Sequence, residues 1–433
     1  MHVEALADLP DLLALHAADR RRFPYLLMSD ALAGWDILFA LPRELRLYAE
    51  NDAARCLADL RALPRRADIA RPAEIPFAGG WFVFLGYEML QAFEDKVADR
   101  GGDDFPLAAL ARIPAAVLVE RGAGRAWAVA EDAESWAELN VVLAEPPAPF
   151  SPIRPELLSL GEDEPTRYTD AVVRLKRYIC EGDVFQVNIS RGWRAELAPD
   201  CGAADLFAAL RRANPAPFSA LADFGQTQIV SSSPERLVEA RDGWVQTRPI
   251  AGTHPRSTDP REDEALKARL IGSVKERAEH VMLIDLERND LGRICVPGTV
   301  EVNELMAVAS YAYVHHIESN VRGRLRPGVQ PADILRALFP GGTITGCPKV
   351  RTMQIIRELE DGARRAYTGS LGYINHDGSL DFNILIRTFM RQGPVLRFRA
   401  GGGIVADSDP ERELMETRHK ARGLLRALGV ADQ

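Results

Sequence analysis

Cysteine is scarce in this sequence of 433 residues. Its five cysteines are an odd number and none of them forms a CxxC pair, which argues against a zinc site or a disulfide framework. Long hydrophobic runs are also missing, since the uncharged runs, such as Ile75–Tyr87, are too short to span a bilayer. The N-terminal segment MHVEALADLP lacks the basic start and apolar core of a signal peptide. We therefore expect a cytoplasmic protein with reduced thiols and no membrane partner.

An excess of basic residues is absent as well. The chain has 53 Lys and Arg against 62 Asp and Glu, which gives a formal net charge of −9. Nucleic acids and anionic membranes are bound by basic faces, so we expect no nucleic-acid partner. With 47% apolar and 27% charged residues, the composition is typical of a globular chain with a large core.

Proline marks the clearest change of composition along the chain. The stretch Glu145–Pro165 contains six prolines and predicts an extended connection between segments 1–150 and 151–433. In the first segment, Gly79–Tyr87 predicts a buried strand that runs into a helix. The acidic Glu94–Asp104 predicts a surface loop.

Hydrophobic periodicity is clearer in the second segment. An apolar stripe predicts one helix that ends near Gly182, and its members are Tyr168, Val172, Leu175 and Ile179. Strands are predicted at Val184–Ser190, Gln228–Ser231 and Val395–Arg399. A long helix is predicted after Asp259 and Pro260, with the stripe Leu266, Leu270, Val274, Ala278 and Val281. Helices and strands do not alternate strictly, so the sequence predicts an α/β (α+β) fold with large sheets.

Two polar clusters lie in the middle of the chain. The first joins Ser233–Arg236 to Gln246–Thr253, and the second is Lys275–His280 within the predicted long helix. Glu279 adjoins the apolar stripe, so it either faces inward, where it needs a cation or a hydrogen-bond partner, or is a solvated charge at the flank.

Two further clusters contain glycine. In Gly341–Lys349 the glycines could let the backbone approach a ligand, and the following helix, with Pro348 as its first residue, could hold an anion together with Lys349. The alternative is a tight structural turn. The spacing to Lys349 excludes a Walker A loop. After the glycines of Gly401–Ser408, helical spacing puts Glu413, Glu416 and Lys420 on one face. Such a face is either a Mg²⁺ site or a surface ion pair.

In the order of its motifs the chain resembles the chorismate-utilising enzymes, which include anthranilate synthase component I, aminodeoxychorismate synthase component I, and the isochorismate and salicylate synthases. The motifs that carry the resemblance are QVN, SPERL, TRPIAGT, KERAEH, DLERNDLGR, HHIES, GGTITGCPK, YTGSLGY, DFNILIRT, AGGGIVADSDPE and ETRHKA. They cover Arg167–Leu425, whereas the first 150 residues match more loosely. The resemblance implies an anthranilate synthase component I-like fold, with two large, mainly antiparallel sheets packed together and helices outside.

The resemblance also implies the roles of individual residues. It implies a Mg²⁺ ion held by Glu279 and Glu416, with Glu413 orienting a metal-bound water. Hydroxide is a poor leaving group, so the displacement of the C4 hydroxyl of chorismate requires a general acid. Glu235 matches that acid, and His316 matches a histidine beside the ring. The residues implied to bind chorismate are Gly252, Thr253, Thr343, Tyr367, Arg387, Gly402, Gly403 and Lys420.

Two positions bear on the choice within the family. The resemblance implies that the water-using synthases carry a lysine base at the position of Gln186. An amide cannot take a proton from water, so ammonia is the expected nucleophile. Ala251 stands where many aminodeoxychorismate synthases carry a lysine nucleophile, which favours anthranilate as the product. Other features are more similar to aminodeoxychorismate synthase, namely QVN, SPER with QTR, TIT and the double histidine His315–His316. We therefore predict aminodeoxychorismate formation, for p-aminobenzoate and folate synthesis, with anthranilate synthesis as the alternative.

Three further expectations follow from the resemblance. Met28 replaces the glutamate of an LLES-like motif, while Ser29 remains, so tryptophan inhibition is not expected. The synthase component fills the chain, so a separate glutamine amidotransferase is expected to supply ammonia. A non-catalytic regulator that binds chorismate or an amino acid is a third possibility, which the presence of Glu235 and the metal carboxylates disfavours.

Overall fold

Strands make up the frame of the molecule and form two large sheets. The computed structural model describes residues 1–31, 34–66, 71–97, 104–311 and 314–430. Within these ranges the strands in chain order are β1 (His2–Leu6), β2 (Tyr25–Met28), β3 (Trp35–Ala40), β4 (Glu44–Tyr48), β5 (Gly80–Leu85), β6 (Ala108–Ile113), β7 (Ala115–Glu120), β8 (Arg125–Ala130), β9 (Leu157–Glu162), β10 (Gln186–Leu197), β11 (Phe218–Asp223), β12 (Thr227–Ser233), β13 (Arg236–Arg241), β14 (Trp244–Thr247), β15 (Ile250–Pro255), β16 (Glu301–Ser310), β17 (Val314–Arg324), β18 (Gly346–Cys347), β19 (Ser370–Asn375), β20 (Leu380–Asn383), β21 (Thr388–Gln392) and β22 (Val395–Ile404).

The helices lie outside these sheets. They are α1 (Leu12–Ala18), α2 (Ala53–Arg61), α3 (Leu90–Phe93), α4 (Ala133–Ala144), α5 (Pro165–Cys180), α6 (Ala203–Ala213), α7 (Pro260–Gly272), α8 (Val274–Gly292), α9 (Pro331–Leu338), α10 (Lys349–Leu359) and α11 (Pro410–Ala427). Short 3₁₀ turns occur at Glu50–Asp52, Tyr87–Met89 and Gly342–Ile344. Among the described residues no helix combines the length and the apolar character that crossing a membrane requires.

The strand order mixes distant parts of the sequence. The 12-stranded sheet runs β1-β8-β7-β3-β2-β11-β12-β21-β22-β10-β18, with β9 paired to β10. The 10-stranded sheet runs β15-β17-β14-β13-β20-β19-β5-β6-β4, with β16 paired to β17. Neighbouring strands in the described chain pair antiparallel, for example Asn188 with Gly403. Segments 1–150 and 151–433 therefore both contribute strands to both sheets.

Aromatic side chains join the two sheets face to face. Tyr25 of the larger sheet stacks on Phe82 of the smaller one, with ring centroids 4.2 Å apart, and Phe39 meets the same ring edge-on. Each sheet also packs against its helices through one further apolar layer. The resemblance-based fold prediction is confirmed: two large antiparallel sheets pack together and carry helices outside.

Most of the local predictions are confirmed. The stripe on 168–179 forms α5, the strand at 184–190 is the longer β10, and the proline-rich stretch is extended and contains β9. The strands predicted at 228–231 and 395–399 lie within β12 and β22, and β5 is followed by short helical turns. Residues 98–103 of the predicted surface loop lie outside the described residues.

The prediction of one long helix after Pro260 is wrong. Ser273 adopts an extended conformation, with φ −70° and ψ 111°, and its hydroxyl accepts the backbone N–H of Glu276 at 3.3 Å. A serine that caps a new helix ends the previous one, so α7 and α8 are separate. Leu270 is buried as expected, but Val274 is 82% exposed and Val281 is also exposed.

Candidate active site

The candidate site lies where the chain crosses from one sheet to the other. Pro234 and Glu235 link β12 of the larger sheet to β13 of the smaller one, and residues 384–387 link β20 to β21 in the opposite direction. The two links are adjacent, because the N–H of Ile384 donates to the carbonyl of Glu235 at 3.0 Å. The N–H of Ser232 donates to the carbonyl of Arg387 at 3.1 Å. These bonds bring Glu235 and Arg387, 152 positions apart by their numbering, into one place.

Glu235 is a buried carboxyl group without a strong partner. The residue is 6% exposed, and its Oε1 makes no hydrogen bond within the described part of the chain. Burial raises the pKa of Glu235 to about 7, and repulsion from Glu318 adds to the rise. The Thr343 hydroxyl faces the carboxyl and, together with Arg387, favours the ionised form, although Thr343 forms no hydrogen bond of good geometry. A carboxyl that is half protonated near neutral pH is suited to general acid catalysis.

Arg387 is a cation that has room for an anion. Its φ of +52° is left-handed, a conformation that costs a non-glycine residue about 1–3 kcal/mol. Burial lowers the pKa of Arg387, and only Glu235 opposes this effect. Across the described residues its guanidinium forms no ion pair and no hydrogen bond, so its fork is free to bind a carboxylate.

His316 lies on β17 and faces the same site. It is 3% exposed, and its Nδ1–H donates to the carbonyl of Gly252 at 3.3 Å. Burial lowers the pKa of His316 to about 4, and the charge of Arg387 contributes to the lowering. The imidazole is therefore neutral at neutral pH.

A bulge in β15 places the Gly252 carbonyl. The pairing of β15 with β17 shifts register between Ala251 and Thr253, and Gly252 has a φ of +63°. A Cβ on Gly252 would lie 2.8 Å from Leu270 Cδ1, so a larger residue does not fit. Ala251 is opposite Ile317 on β17. The side chain of Thr253 lies outside the described part of the structure.

The glycines of β22 face two different groups. A Cβ on Gly403 would overlap the amide of Gln186, and a Cβ on Gly402 would lie 3.3 Å from Glu413 Oε2. Gln186 and Asn188 lie on one face of β10, and each has a buried side-chain oxygen without a hydrogen-bond partner among the described residues. Buried polar atoms normally have partners, so these two oxygens are open to a ligand or a water molecule.

Helix α11 carries Lys420 and two of the predicted metal carboxylates, Glu413 and Glu416, whereas Glu279 lies on α8. Lys420 Nζ lies 2.7 Å from Glu416 Oε1 and 3.0 Å from the Gly401 carbonyl, while Ser408 donates to Glu413 Oε1 at 2.7 Å. The hard oxygens of Glu413 and Glu416, beside the space left by Gly402, are a donor set that suits Mg²⁺. No group of three or more His, Cys, Asp or Glu side chains is gathered as a metal site in the residues described. The Mg²⁺ site, including Glu279, therefore stays a prediction.

The other predicted groups are placed as follows. Tyr367 is buried, which raises its pKa to about 12, and its ring lies 5.6 Å from the Arg364 guanidinium. Pro348 is not the first residue of the helix, because it caps α10 and Lys349 begins it. Lys349 Nζ binds Asp290 Oδ2 and the Leu338 carbonyl, each at 2.9 Å. The idea that Lys349 holds an anion is thus replaced by a structural ion pair.

Sequence reasoning missed Glu287, a buried carboxyl of α8 beside the site. Leu283, Glu287 and Leu291 follow each other at intervals of four residues, and all three are buried. An acidic residue in an apolar helix stripe was the available signal, because a charge there needs a special environment.

A cavity of about 1000 Å³ lies between the sheets, and Glu235 is not among its lining residues, although the adjacent Arg236 is. Met28, Ser29 and Tyr373 also line it. Its arginines are paired within the protein; for example, Arg236 binds Asp381 with two hydrogen bonds of 3.0 Å. The expectation that tryptophan does not inhibit this chain stays a prediction.

The chain is similar to several known proteins. Residues 23–426 match the family model described as chorismate binding enzyme. The chain is 41% identical over 359 residues to an anthranilate synthase component I-like protein of Synechocystis sp., covering 82% of this chain and 74% of that protein. It is 47% identical over 266 residues to aminodeoxychorismate synthase component 1 of Bacillus subtilis, covering 61% of this chain and 56% of that protein.

Two further matches extend over more of the chain. Anthranilate synthase component 1 of Streptomyces coelicolor is 40% identical over 400 residues, which cover 87% of this chain and 78% of that protein. The crystal structure of anthranilate synthase component I from Streptococcus pneumoniae superimposes with a TM-score of 0.80 at 32% identity. That alignment covers 91% of this chain and 93% of the other.

Proposed function

Because the chain belongs to the chorismate-binding enzyme family, we propose that it aminates chorismate with ammonia to give 4-amino-4-deoxychorismate. The observation that carries the proposal is the buried group formed by Glu235, Arg387 and neutral His316. It combines a carboxyl poised near neutral pH, a free guanidinium and an uncharged imidazole in one place. Gln186 supplies an amide rather than a base, which supports ammonia rather than water as the nucleophile.

Glu235 acts as the general acid in this reaction. Ammonia forms a C–N bond as the C4–O bond breaks, and the proton of Glu235 leaves with the hydroxyl group as water. The surplus proton on the new amine then returns to the Glu235 carboxylate, which restores the acid. Half of the enzyme carries the required proton at the pKa of about 7.

Arg387 binds a carboxylate of chorismate through its guanidinium fork. The substrate is a dicarboxylate, so binding places a negative charge next to Arg387 and near Lys420. The backbone amides at Gly402 and Gly403 approach the same substrate. Their lack of side chains leaves room for Gln186 beside Gly403 and for Glu413 beside Gly402.

Glu279, Glu413 and Glu416 are the residues that would hold Mg²⁺. When bound there, the ion would neutralise a substrate carboxylate. Without it, the negative charges of Glu413 and Glu416 would oppose the binding of that carboxylate. A chelator is therefore expected to raise the KM for chorismate, and added Mg²⁺ is expected to restore it.

A separate glutamine amidotransferase would supply the ammonia. The chain matches the synthase component along nearly all of its length, and relatives are named as component I of a larger enzyme. The purified chain should therefore use ammonium salts and not glutamine. Turnover with glutamine alone would contradict the need for a partner.

Anthranilate synthesis is the second candidate, and Ala251 favours it. Alanine cannot attack C2 of the ring, so ammonia could add to C2 directly and remain there. Several relatives are also named anthranilate synthase component 1. The choice between the two products depends on which ring carbon ammonia reaches.

Product analysis tests both candidates and the non-catalytic possibility. Chorismate, Mg²⁺ and ammonium at mildly alkaline pH should give p-aminobenzoate only after a separate lyase is added. Fluorescent anthranilate without that lyase would overturn the proposal in favour of the second candidate. No product in either assay would favour a regulator that binds without reacting. Ala251→Lys serves as a matched variant, because it restores the lysine nucleophile and should increase amination at C4.

A further inference from the structure

Glu287 is a buried carboxyl that the proposed chemistry does not use. It lies on the inward face of α8, between Leu283 and Leu291. Asp290, almost one turn further along, is already neutralised by Lys349 at 2.9 Å. Throughout the described ranges no cation forms an ion pair with Glu287 itself. A charged carboxylate in such surroundings is costly, so an uncharged form is favoured.

The Glu287 carboxyl lies beside the 3₁₀ turn Gly342–Ile344, next to the side chain of Leu286. A Cβ on Gly342 would lie 3.3 Å from Glu287 Oε1 and would overlap the side chain of Leu286. The turn therefore rests directly on α8, with room for a glycine and for nothing larger. A second contact fixes the other side of the turn, because Asn188 Nδ2 donates to the Thr343 carbonyl at 3.4 Å.

The same turn carries the hydroxyl that faces Glu235. Thr343 directly follows Gly342, and its hydroxyl favours the ionised form of Glu235. Any displacement of Gly342 from α8 would move Thr343 relative to that carboxyl. Glu287 and Glu235 also influence each other directly, because each is a buried acid in the other's field.

We propose that Glu287 is a positioning residue that works as a protonated, uncharged carboxyl: it holds the Gly342–Ile344 turn against α8 and so keeps the Thr343 hydroxyl on Glu235. Its effect on catalysis rests on the proposed function. Its protonation and its contact with the turn do not. Ionisation of Glu287 would add a negative charge in the field of Glu235 and weaken the contact of the Gly342–Ile344 turn with α8.

The charges around Glu287 agree with this role. Burial is the main reason that the pKa of Glu287 rises to about 8, and Asp290 on the same helix raises it further. Lys349 of α10 and the Thr247 hydroxyl of β14 lower that pKa, whereas Glu235 raises it. Glu287 is thus mainly protonated at neutral pH and becomes charged in mildly alkaline solution.

Thermal unfolding tests the protonation without any assay of activity. An acid whose pKa is higher in the folded than in the unfolded state destabilises the fold progressively as the pH rises from 4.5 to 8. Glu287→Gln removes this cost, so its Tm relative to the native chain should rise over that range and stay level above it. Asp285→Asn, on the exposed face of the same helix, is the matched control and should show no such trend. A difference between Glu287→Gln and the native chain that does not change with pH would overturn the proposal.

Kinetics tests the link to the site. Glu287→Leu should lower kcat by about tenfold or more with little change in KM, whereas Glu287→Gln should lose less than about threefold and shift the alkaline limb of the pH profile upward. Gly342→Ala displaces the same turn from α8, chiefly because its methyl group would overlap Leu286, so it should reproduce the loss of kcat even if a Glu287 variant fails to fold. Normal kcat in Gly342→Ala, or an unshifted alkaline limb in Glu287→Gln, would overturn the role. If the native chain does not aminate chorismate, the proposed function fails, and the unfolding experiment still decides the protonation of Glu287.

Discussion

Glu360 and Glu235 are both buried glutamates, but their hydrogen-bond partners and their pKa values differ. Glu360 accepts hydrogen bonds from Arg364 Nε at 2.9 Å and from the Ser190 hydroxyl at 2.8 Å, and Arg399 lies 3.2 Å away. Burial alone would raise the pKa of Glu360, yet Arg364 and Arg399 hold that pKa down to about 2. The charges of Arg387 and Lys420 offset only part of the effect of burial on Glu235, and its pKa rises to about 7.

The difference shows what separates a structural charge from a chemical one. Around Glu360 each charge has a partner within the protein, so the group is fixed in one protonation state. Around Glu235 the partners are incomplete, and the carboxyl can gain and lose a proton near neutral pH. Volume is a poorer guide, because the cavity of about 1000 Å³ lies among arginines that are already paired.

The largest expected effect is the loss of activity on removing the proton of Glu235. Glu235→Gln keeps the shape of the side chain but cannot protonate the leaving group, so kcat should fall by roughly 10²–10⁴-fold. Chorismate consumption measures the change, and the Tm should not fall, because a buried acid is replaced by a neutral amide. A variant that keeps more than a tenth of the native kcat would place the acid elsewhere.

The reverse pattern is expected at Glu360. Glu360→Gln leaves two buried arginines without their counter-charge, which should reduce the free energy of unfolding by about 3–5 kcal/mol. Denaturant titration measures the loss. Asp361→Asn, whose side chain is exposed, is the control and should change stability by no more than about 0.5 kcal/mol. Equal losses of stability in Glu360→Gln and Asp361→Asn would contradict a structural role for the charge of Glu360.

Arg387 should affect binding more than stability. Loss of a charge-assisted hydrogen bond to a carboxylate costs about 1.5–3 kcal/mol, so Arg387→Gln should raise the KM for chorismate roughly 10- to 100-fold. Because Arg387 also lowers the pKa of Glu235, the alkaline limb of the pH profile should move upward in this variant. Arg167→Gln, at an exposed arginine, should leave KM unchanged.

The smallest effects concern stability against pH, and their signs are opposite. Glu360, with its lowered pKa, contributes stability that is present above pH 4.5 and is lost as the pH falls towards 2. Glu235, with its raised pKa, costs stability that grows between pH 4.5 and 7. The Tm of Glu235→Gln should therefore gain on the native chain as the pH rises, while the deficit of Glu360→Gln should shrink below pH 4.5. Parallel curves for both variants would contradict the assignment.

Local features of the fold could be predicted from the sequence, whereas its long-range pairing could not. The stripe from Tyr168 to Ile179 identified α5 because one face of that helix is buried. The stripe after Pro260 misled, because one serine hydroxyl at Ser273 starts a new helix and turns the following face outward. Nothing in the sequence of β10 indicates that it pairs with β22. The hydrogen bonds between two strands join backbone groups, which are the same for nearly every residue type.

The candidate site depended on resemblance for a similar reason. Glu235, His316, Thr343 and Arg387 are separated by dozens of residues, so spacing says nothing about their proximity. Their meeting follows from the two links between the sheets. Glu287 was overlooked because an acidic residue in DLERND is common on a helix surface, although its position between Leu283 and Leu291 was a signal of burial.

The late position of β22 in the sequence has a consequence for how the protein is made. This strand lies between β21 and β10, in the interior of the larger sheet, yet it occupies residues 395–404. A growing polypeptide on the ribosome therefore exposes an open backbone edge on β10 until β22, which begins 198 positions after the end of β10, has emerged. Such edges pair readily with other chains, and sheets closed by distant contacts fold slowly. Pairing of β22 with β10 therefore competes with aggregation during folding.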